Sequence, residues 1–378
     1  MASEHQPRKG LLIKGDPIAA TFQAEIQASL EKLGRKPKLV GILATSSAPS
    51  KFYAEFTRKQ CERLGVEFIL KKTGAAEDED REEGIKKGEG EGVEEAIIEA
   101  NEDDSINGIM VYYPIFGVQQ DHYLQQIVSP FKDVEGLNFK FHYNLYHNIR
   151  FIQPQSLNQA SSTLPVGVEV NTEIPPPGTV KSILPCTPLA IVKCLEHVGV
   201  YNKILPYGDR AYGKTVTVIN RSEVVGRPLA ALLANDGARV FSVDIDSIQE
   251  YTKRPTISES AAARRYHPHH VAHPTTLTLE QCLSQSDVVI SAVPSEGYKV
   301  PTSSLKDGCI CVNVSAEKNF QEGVRDKVRM ILPRFESLLI KERFQASMYV
   351  PAVGKVTIMM LLRNLLRLIE YKAVAPGP

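Results

Sequence analysis

Several residues have types and spacings that could do chemistry, and the densest group is Lys214–Pro228, KTVTVINRSEVVGRP. Thr215–Ile219 is a β-branched run that reads as a strand buried on both faces. The polar turn Asn220-Arg221-Ser222-Glu223 follows, and Gly226-Arg227-Pro228 opens an apolar run with Pro in the first helical turn. A second strand, Arg239–Val243, ends at Asp244. Such a strand–turn–helix–strand unit can bind a dinucleotide, because backbone N–H groups at the helix start meet phosphate. Arg221 and Ser222 stand at that turn. Asp244 follows Asn220 by 24 residues, where an acid accepts from an adenosine ribose 2′-OH; Asp246 is the rival acid. Val293 and Pro294 stand at the end of the apolar run 287–293. Asn220 stands where the usual first glycine would be, so the pattern alone fits an ordinary βαβ unit equally well.

Other candidates are weaker. Asp133 lies in Lys132-Asp133-Val134-Glu135-Gly136-Leu137, where a carboxylate either caps backbone donors or meets a ligand with paired N–H groups. Tyr53 sits on a helical stretch, 50–64, one turn before Thr57; Lys51 and Lys59 are at the wrong spacing to share its face. Cys309 and Cys311 share one face of an apolar strand, which suits core packing better than metal binding. His267, His269, His270 and His273 have no Cys, Asp or Glu at a ligand-like spacing, and the prolines among them imply a loop, so no metal is expected.

The elements that must position these residues read as α/β. Helices are expected at 18–33, 50–64, 93–101, 121–128, 189–198, 228–233 and 355–371; strands at 38–44, 67–71, 108–113, 215–219, 239–243, 287–293 and 309–314. Gly34 and Gly65 are C-terminal stops. Thr187 is the expected N-cap of the 189–198 helix, with Pro188 at its first position. The C-terminal helix is amphipathic, with Val356, Met359, Met360, Leu362, Leu366 and Ile369 available for burial. Three stretches read as irregular insertions: 73–92, charged and without an apolar period, expected to be mobile; 153–180, broken by Pro175–Gly178; and 247–276.

With 378 residues, 43% hydrophobic and 23% charged, the chain fits a soluble two-domain enzyme. Its formal net charge is zero, so no long-range field recruits nucleic acid or an anionic membrane. No apolar run has membrane-spanning length, and the polar N-terminus lacks a signal-peptide core. Six cysteines without a framework spacing suggest reduced thiols in a cytoplasmic protein.

Arg221-Ser222 and Gly226-Arg227-Pro228 resemble the G-R-S-x-x-V-G-x-P segment of the methylenetetrahydrofolate dehydrogenase/cyclohydrolase family. Residues 50–65, 108–114, 132–138, 185–188 and 350–357 match further family segments in the same chain order. The resemblance implies two α/β domains: a folate-binding catalytic domain, 1–185, rejoined by a C-terminal helix, 350–378, and a Rossmann-like NAD-binding domain with a parallel sheet, 186–349. It places Tyr53, Tyr112, Asp133, Pro351 and Gly354 at a tetrahydrofolate-type substrate, with Tyr53 and Asp133 also catalytic. Asn220, Arg221, Ser222, Gly226, Asp244, Val293 and Pro294 fall to the cofactor, and a homodimer is implied.

Departures from the family pattern carry information. Thr57 replaces the lysine of Y-x-x-x-K, and Tyr112 replaces the glutamine of V-Q-L-P. Val350–Thr357, VPAVGKVT, lacks one glycine of V-P-G-G-V-G-P-M-T and has Lys355 for proline. These departures resemble the fungal NAD-dependent, monofunctional branch. Hydride removal from 5,10-methylenetetrahydrofolate leaves a cation delocalised over N–C–N, so positioning can supply most of the effect. Hydrolysis of the methenyl product needs activated water and proton transfer, which the lysine would serve. The implied function is therefore oxidation to the methenyl form with NAD, without cyclohydrolysis, feeding one-carbon units to purine synthesis. A bifunctional enzyme using Lys59 as substitute base, or a non-catalytic folate or NAD sensor, are the alternatives.

Overall fold

The computed structural model describes residues 9–78, 86–158, 173–254, 267–330, 341–344 and 346–374. A three-stranded parallel sheet has Lys38–Leu43 at its centre, between Glu67–Lys72 and Gly108–Val111. The central strand is almost wholly buried, as an apolar run covered on both faces must be. Helix Ala48–Leu64 connects the first two strands and stops at Gly65, which is left-handed at φ 82°; helix Gly15–Leu33 stops in the same way at Gly34.

The second sheet has eight strands, in the order Leu11–Leu12, Ala346–Val350, Cys309–Asn313, Val288–Ser291, Thr215–Ile219, Arg239–Val243, Ile248–Thr252, Val271–Pro274. The first six run parallel, and the last two fold back as an antiparallel hairpin. The chain starts this fold at Thr215–Ile219, builds outward to Arg239–Val243, then returns to Val288–Ser291 on the other side. That reversal is a switch point, and it opens a crevice at the carboxyl ends of the strands.

The α/β reading holds, with corrections. Residues 247–276 were expected to be irregular, yet Ile248–Thr252 and Val271–Pro274 pair in register, Tyr251 facing Ala272 and buried; residues 255–266 lie outside the described residues. Pro274 is tolerated because its strand is the sheet edge. The helix expected to start after Thr187 begins at Cys186, with extended Pro185 as its N-cap and no side-chain cap. Helix Phe139–Tyr146, capped by the Asn138 side chain, was not expected at all. Within 73–92, Thr73 and Ala76 are buried and the Gly90 N–H donates to the Ala44 carbonyl at 2.8 Å; residues 79–85 lie outside the described residues. The flanks of this stretch are therefore packed rather than merely solvated. In the same way, 153–180 contains a 3-10 turn, Pro154–Asn158, and the short strand Val180–Lys181, with 159–172 outside the described residues. The edge strand Leu11–Leu12 joins the second sheet, although residues 1–185 were assigned to the first domain.

The C-terminal helix, Gly354–Val374, is more central than its amphipathic pattern suggested. It also buries Ile358, Leu361, Leu365 and Leu368, and it packs between helices Gly15–Leu33 and Cys186–His197. Asn364 is fully buried in it; its amide donates to the carbonyls of Val134 and Leu184, both at 3.0 Å. Asn364→Leu leaves one buried and one partly buried carbonyl unpaired, at about 1–3 kcal/mol each, which outweighs the removal of the Asn364 side-chain oxygen that is itself buried without a partner among the described residues. Urea denaturation should show a lower midpoint at an unchanged slope; an unchanged midpoint would remove Asn364 from this role.

Candidate active site

At the switch point the turn after Thr215–Ile219 is held by its own side chains. Asn220 adopts φ 85°, a left-handed conformation that asparagine tolerates better than most residues. Its amide donates to the Ala292 carbonyl at 2.8 Å, across the crevice mouth, and accepts from the Ser222 N–H at 3.1 Å. The Ser222 hydroxyl accepts from the Val225 N–H at 3.3 Å, at the start of helix Gly226–Asn235. Gly226 is obligatory: a Cβ there would lie 1.6 Å from the Asn220 carbonyl oxygen. Arg221, expected beside a phosphate, instead donates to the Ser242 hydroxyl and carbonyl at 3.0 and 2.6 Å and to the Ser247 hydroxyl and carbonyl at 3.0 and 2.9 Å. It therefore clamps the end of the Arg239–Val243 strand to the following loop.

Asp244 is exposed at the carboxyl end of that strand, directly after Val243, whose carbonyl accepts from the Asn220 N–H at 3.0 Å. Asp246 is exposed two residues on, in the same turn. Val293 and Pro294 border the crevice on the other side. The Val293 N–H donates to the Asn319 side chain at 3.2 Å, and the Asn319 amide donates to the Val293 carbonyl at 3.1 Å. Asn319 is itself held by Asn313, whose amide reaches the Pro351 carbonyl at 3.4 Å. Sequence reasoning missed both asparagines, since isolated amides carry no spacing signal. Gly354 begins the C-terminal helix, and Lys355 pairs with Asp16 rather than facing the crevice.

On the first sheet's side, Tyr53 and Tyr112 meet edge to face with ring centroids 6.2 Å apart. The Thr57 hydroxyl is buried and donates to the Tyr53 carbonyl at 2.8 Å. The Tyr112 hydroxyl is buried with no hydrogen-bond partner among the described residues. Burial pushes both phenols well above their ordinary range.

The Lys132–Gly136 loop divides its work in a way the sequence reading did not anticipate. Lys132 donates to the carbonyls of Ala100, Asn101 and Asp103 at 2.7–3.0 Å, closing helix Val93–Glu102. Asp133, expected to face the substrate, is 3% exposed. Its carboxylate accepts from the N–H groups of Glu135, Gly136 and Asn138 at 3.1, 2.9 and 2.7 Å, so both of its oxygens are already engaged. Burial still pushes its carboxyl up to about 6. Glu135 is half-buried and keeps more freedom. One oxygen accepts from the Val111 N–H at 2.9 Å, and its charge is felt by Tyr53, Tyr112, Tyr113 and Cys186. Burial, against that N–H bond and reinforced by Asp133, pushes Glu135 up to about 8. The available signal was an Asp followed three residues later by Gly, which marks the first acid as a turn-former and leaves the second free.

The two halves touch at Tyr146, whose hydroxyl donates to Glu223 of the cofactor turn at 3.2 Å and whose ring lies 5.1 Å under the Arg227 guanidinium. A dinucleotide-binding sheet facing an α/β unit with a half-buried acid near tyrosines defines a two-domain, dinucleotide-linked enzyme. Family models described as the catalytic domain and the NAD(P)-binding domain of tetrahydrofolate dehydrogenase/cyclohydrolase match residues 13–135 and 185–265. The chain belongs to this family. It is 44% identical to the methylenetetrahydrofolate dehydrogenase [NAD(+)] of Saccharomyces cerevisiae, covering 96% of this chain and 97% of that one. It is also 44% identical to the Schizosaccharomyces pombe protein of the same name, covering 95% and 93%. A solved structure of the S. cerevisiae NAD-dependent 5,10-methylenetetrahydrofolate dehydrogenase superposes with a TM-score of 0.77 at 42% identity, over 98% of this chain and 100% of that one.

The raised Glu135 predicts a pH dependence. Between about 4.5 and 8 the folded state holds a proton that the unfolded state has lost, so this group's contribution to stability falls as pH rises through that window. Glu135→Gln removes the term. Relative to wild type, the variant should gain stability steadily from pH 5 to pH 8.5 in parallel thermal melts. A difference independent of pH would show that Glu135 titrates normally.

Proposed function

We propose that this chain catalyses the NAD-dependent oxidation of 5,10-methylenetetrahydrofolate to 5,10-methenyltetrahydrofolate and does not hydrolyse the product. The observation that carries the reading is the wall formed by Tyr53, Tyr112 and Glu135 in a member of this family, with Thr57 in the lysine position and its hydroxyl engaged by the Tyr53 carbonyl. The residues present fit a dinucleotide: Gly226 lets the helix start close on the turn, and an exposed acid ends the neighbouring strand. NAD supplies a two-electron acceptor when bound. Asp244 would hold the ribose hydroxyls. Asn220, Arg221, Ser222 and Gly226 shape the turn that meets the phosphates, and Val293, Pro294, Pro351 and Gly354 border the nicotinamide and substrate ends.

Glu135 takes the role first assigned to Asp133. A carboxylate there accepts from the paired N–H donors of a pterin edge and fixes ring orientation, while Asp133 positions the loop that carries it. Tyr53 packs at the ring, and Tyr112 closes the wall behind it. Held this way, the methylene carbon loses hydride with the push of its flanking nitrogens, and no side chain has to accept a proton. The alternative in which Lys59 acts as hydrolytic base is disfavoured, since Lys59 is exposed and pairs with Glu55 at 3.3 Å. The family resemblance further supports a homodimer working in the cytoplasm and supplying one-carbon units to purine synthesis, with residues 1–185 and 350–378 bearing the folate and 186–349 the NAD.

Turnover should appear as NADH absorbance on mixing protein, NAD and 5,10-methylenetetrahydrofolate. Methenyl product should accumulate and decay only at the buffer rate; enzyme-dependent decay would establish cyclohydrolysis, and no turnover would favour the sensor. Glu135→Gln should raise KM for the folate by tenfold or more with NAD affinity unchanged, an amide having lost the charge and an acceptor.

Cofactor choice gives a second check. A 2′-phosphate placed against Asp244 meets like charge, a penalty that can reach several kcal/mol, and Arg221 is committed to Ser242 and Ser247. Wild type should therefore favour NAD over NADP, and Asp244→Ser should lower NAD use and admit NADP. Retained preference in Asp244→Ser, with loss in Asp246→Ser, would transfer the role to Asp246.

A further inference from the structure

Away from the crevice, a cavity of about 120 Å³ opens beside the carboxyl ends of helices Cys186–His197 and Gly226–Asn235, the middle of the C-terminal helix and the 201–210 loop. Its volume is several times the ~10–15 Å³ that one water needs. Arg150, Lys181, Lys193, Arg210, Arg363 and Arg367 line it. Four of these have a carboxylate of their own: Arg150 with Asp236 at 2.7 Å, Lys193 with Glu196 at 2.8 Å, Arg210 with Glu173 at 3.1 Å and Arg363 with Glu25 at 3.0 Å. Lys181 and Arg367 have no ion pair among the described residues. Arg367 makes one long bond, to the Ser182 carbonyl at 3.4 Å, and Arg210 Nε is buried without an acceptor among the described residues. The Tyr207 ring gathers the charge, with Arg150, Arg210 and Lys181 at 4.8, 5.5 and 5.8 Å from its centroid.

Excess charge of one sign in a desolvated cavity is unfavourable. Lys181 registers it: burial first, and then the repulsion of Arg367, Arg363 and Lys193 against the attraction of Glu173, hold its ammonium below the ordinary range. Helix C-terminal carbonyls account for one cation, Arg150, which donates to the Asn235 carbonyl at 3.1 Å. They leave Lys181 and Arg367 without an ion pair among the described residues. Guanidinium groups favour oxyanions that accept two bonds at once.

We propose that this cavity binds a small, multiply charged oxyanion, a phosphate or a polycarboxylate, held by Lys181, Arg210 and Arg367 at a site separate from the folate–NAD crevice. Such an anion would tie the C-terminal helix to the Val180–Lys181 strand and to the 201–210 loop.

Isothermal titration calorimetry on the full chain, with NAD in excess so that the dinucleotide turn is filled, tests the site with inorganic pyrophosphate and with citrate at matched ionic strength. Saturable 1:1 binding of either supports the proposal, and the tighter one identifies the phosphate or carboxylate source. Lys181→Met and Arg367→Met should each weaken it by about tenfold or more and leave dehydrogenase turnover without anion unchanged. Without anion, Arg367→Met should melt at or above the wild-type temperature, because it removes a repelled charge. Absence of saturable binding to wild type, affinity unaltered in both variants, or a lowered melting temperature of anion-free Arg367→Met would overturn the proposal.

Discussion

The site depends first on one buried amide. Asn364, on a helix otherwise packed by apolar side chains, donates to the carbonyls of Val134 and Leu184. Those segments carry Glu135 and Cys186, and the Cys186 N–H in turn donates to the Glu135 carbonyl at 2.9 Å. Three stretches far apart in sequence thus meet at one point through directional bonds. Apolar packing alone would bring the helices together but would not fix the register of the loop against the helix start. In a water-poor interior an unpaired donor or acceptor is costly, so this arrangement resists sliding.

The loop carrying Glu135 follows the same logic. Lys132 and Asp133 are both charged and both nearly inaccessible, and each is satisfied by three backbone groups. Their charges are dispersed into peptide dipoles and shape the chain. The Glu135 carboxylate has one backbone bond among the described residues, from the Val111 N–H, so one of its oxygens stays open. Burial, with the charge of Asp133 beside it, raises its proton affinity against the pull of that one bond.

Around the cofactor crevice, the residues expected to touch phosphate largely build the turn. Asn220 takes the left-handed position and bridges to Ala292, Ser222 caps the helix start, and Arg221 fastens the strand end. Asn313 and Asn319 do the equivalent work on the opposite wall. The crevice is therefore preorganised by amides and hydroxyls whose hydrogen bonds are already satisfied, while Asp244 stays exposed at the strand end with one oxygen accepting from the Ile245 N–H at 2.9 Å.

Much was legible in the sequence. The β-branched run at 215–219 located the central strand because continuous burial demands it, Gly34 and Gly65 marked helix ends because the left-handed region favours glycine, and Gly226 was singled out before its contact with Asn220 was visible. The family segments fixed the fold and the absence of lysine at Thr57. Ile248–Thr252 and Val271–Pro274 are not legible as strands because a polar edge hairpin needs few apolar residues, and its pairing partner on the sheet is not encoded locally. Which of Asp133 and Glu135 is engaged by the loop's own backbone was decided by tertiary structure, since only the folded loop reveals which carboxylate the N–H groups consume. The same holds for Asn319 and Asn364 and for Lys181 and Arg367, which have no ion pair among the described residues: satisfaction of a buried polar group is a property of its neighbours in space, and the chain order is silent about them.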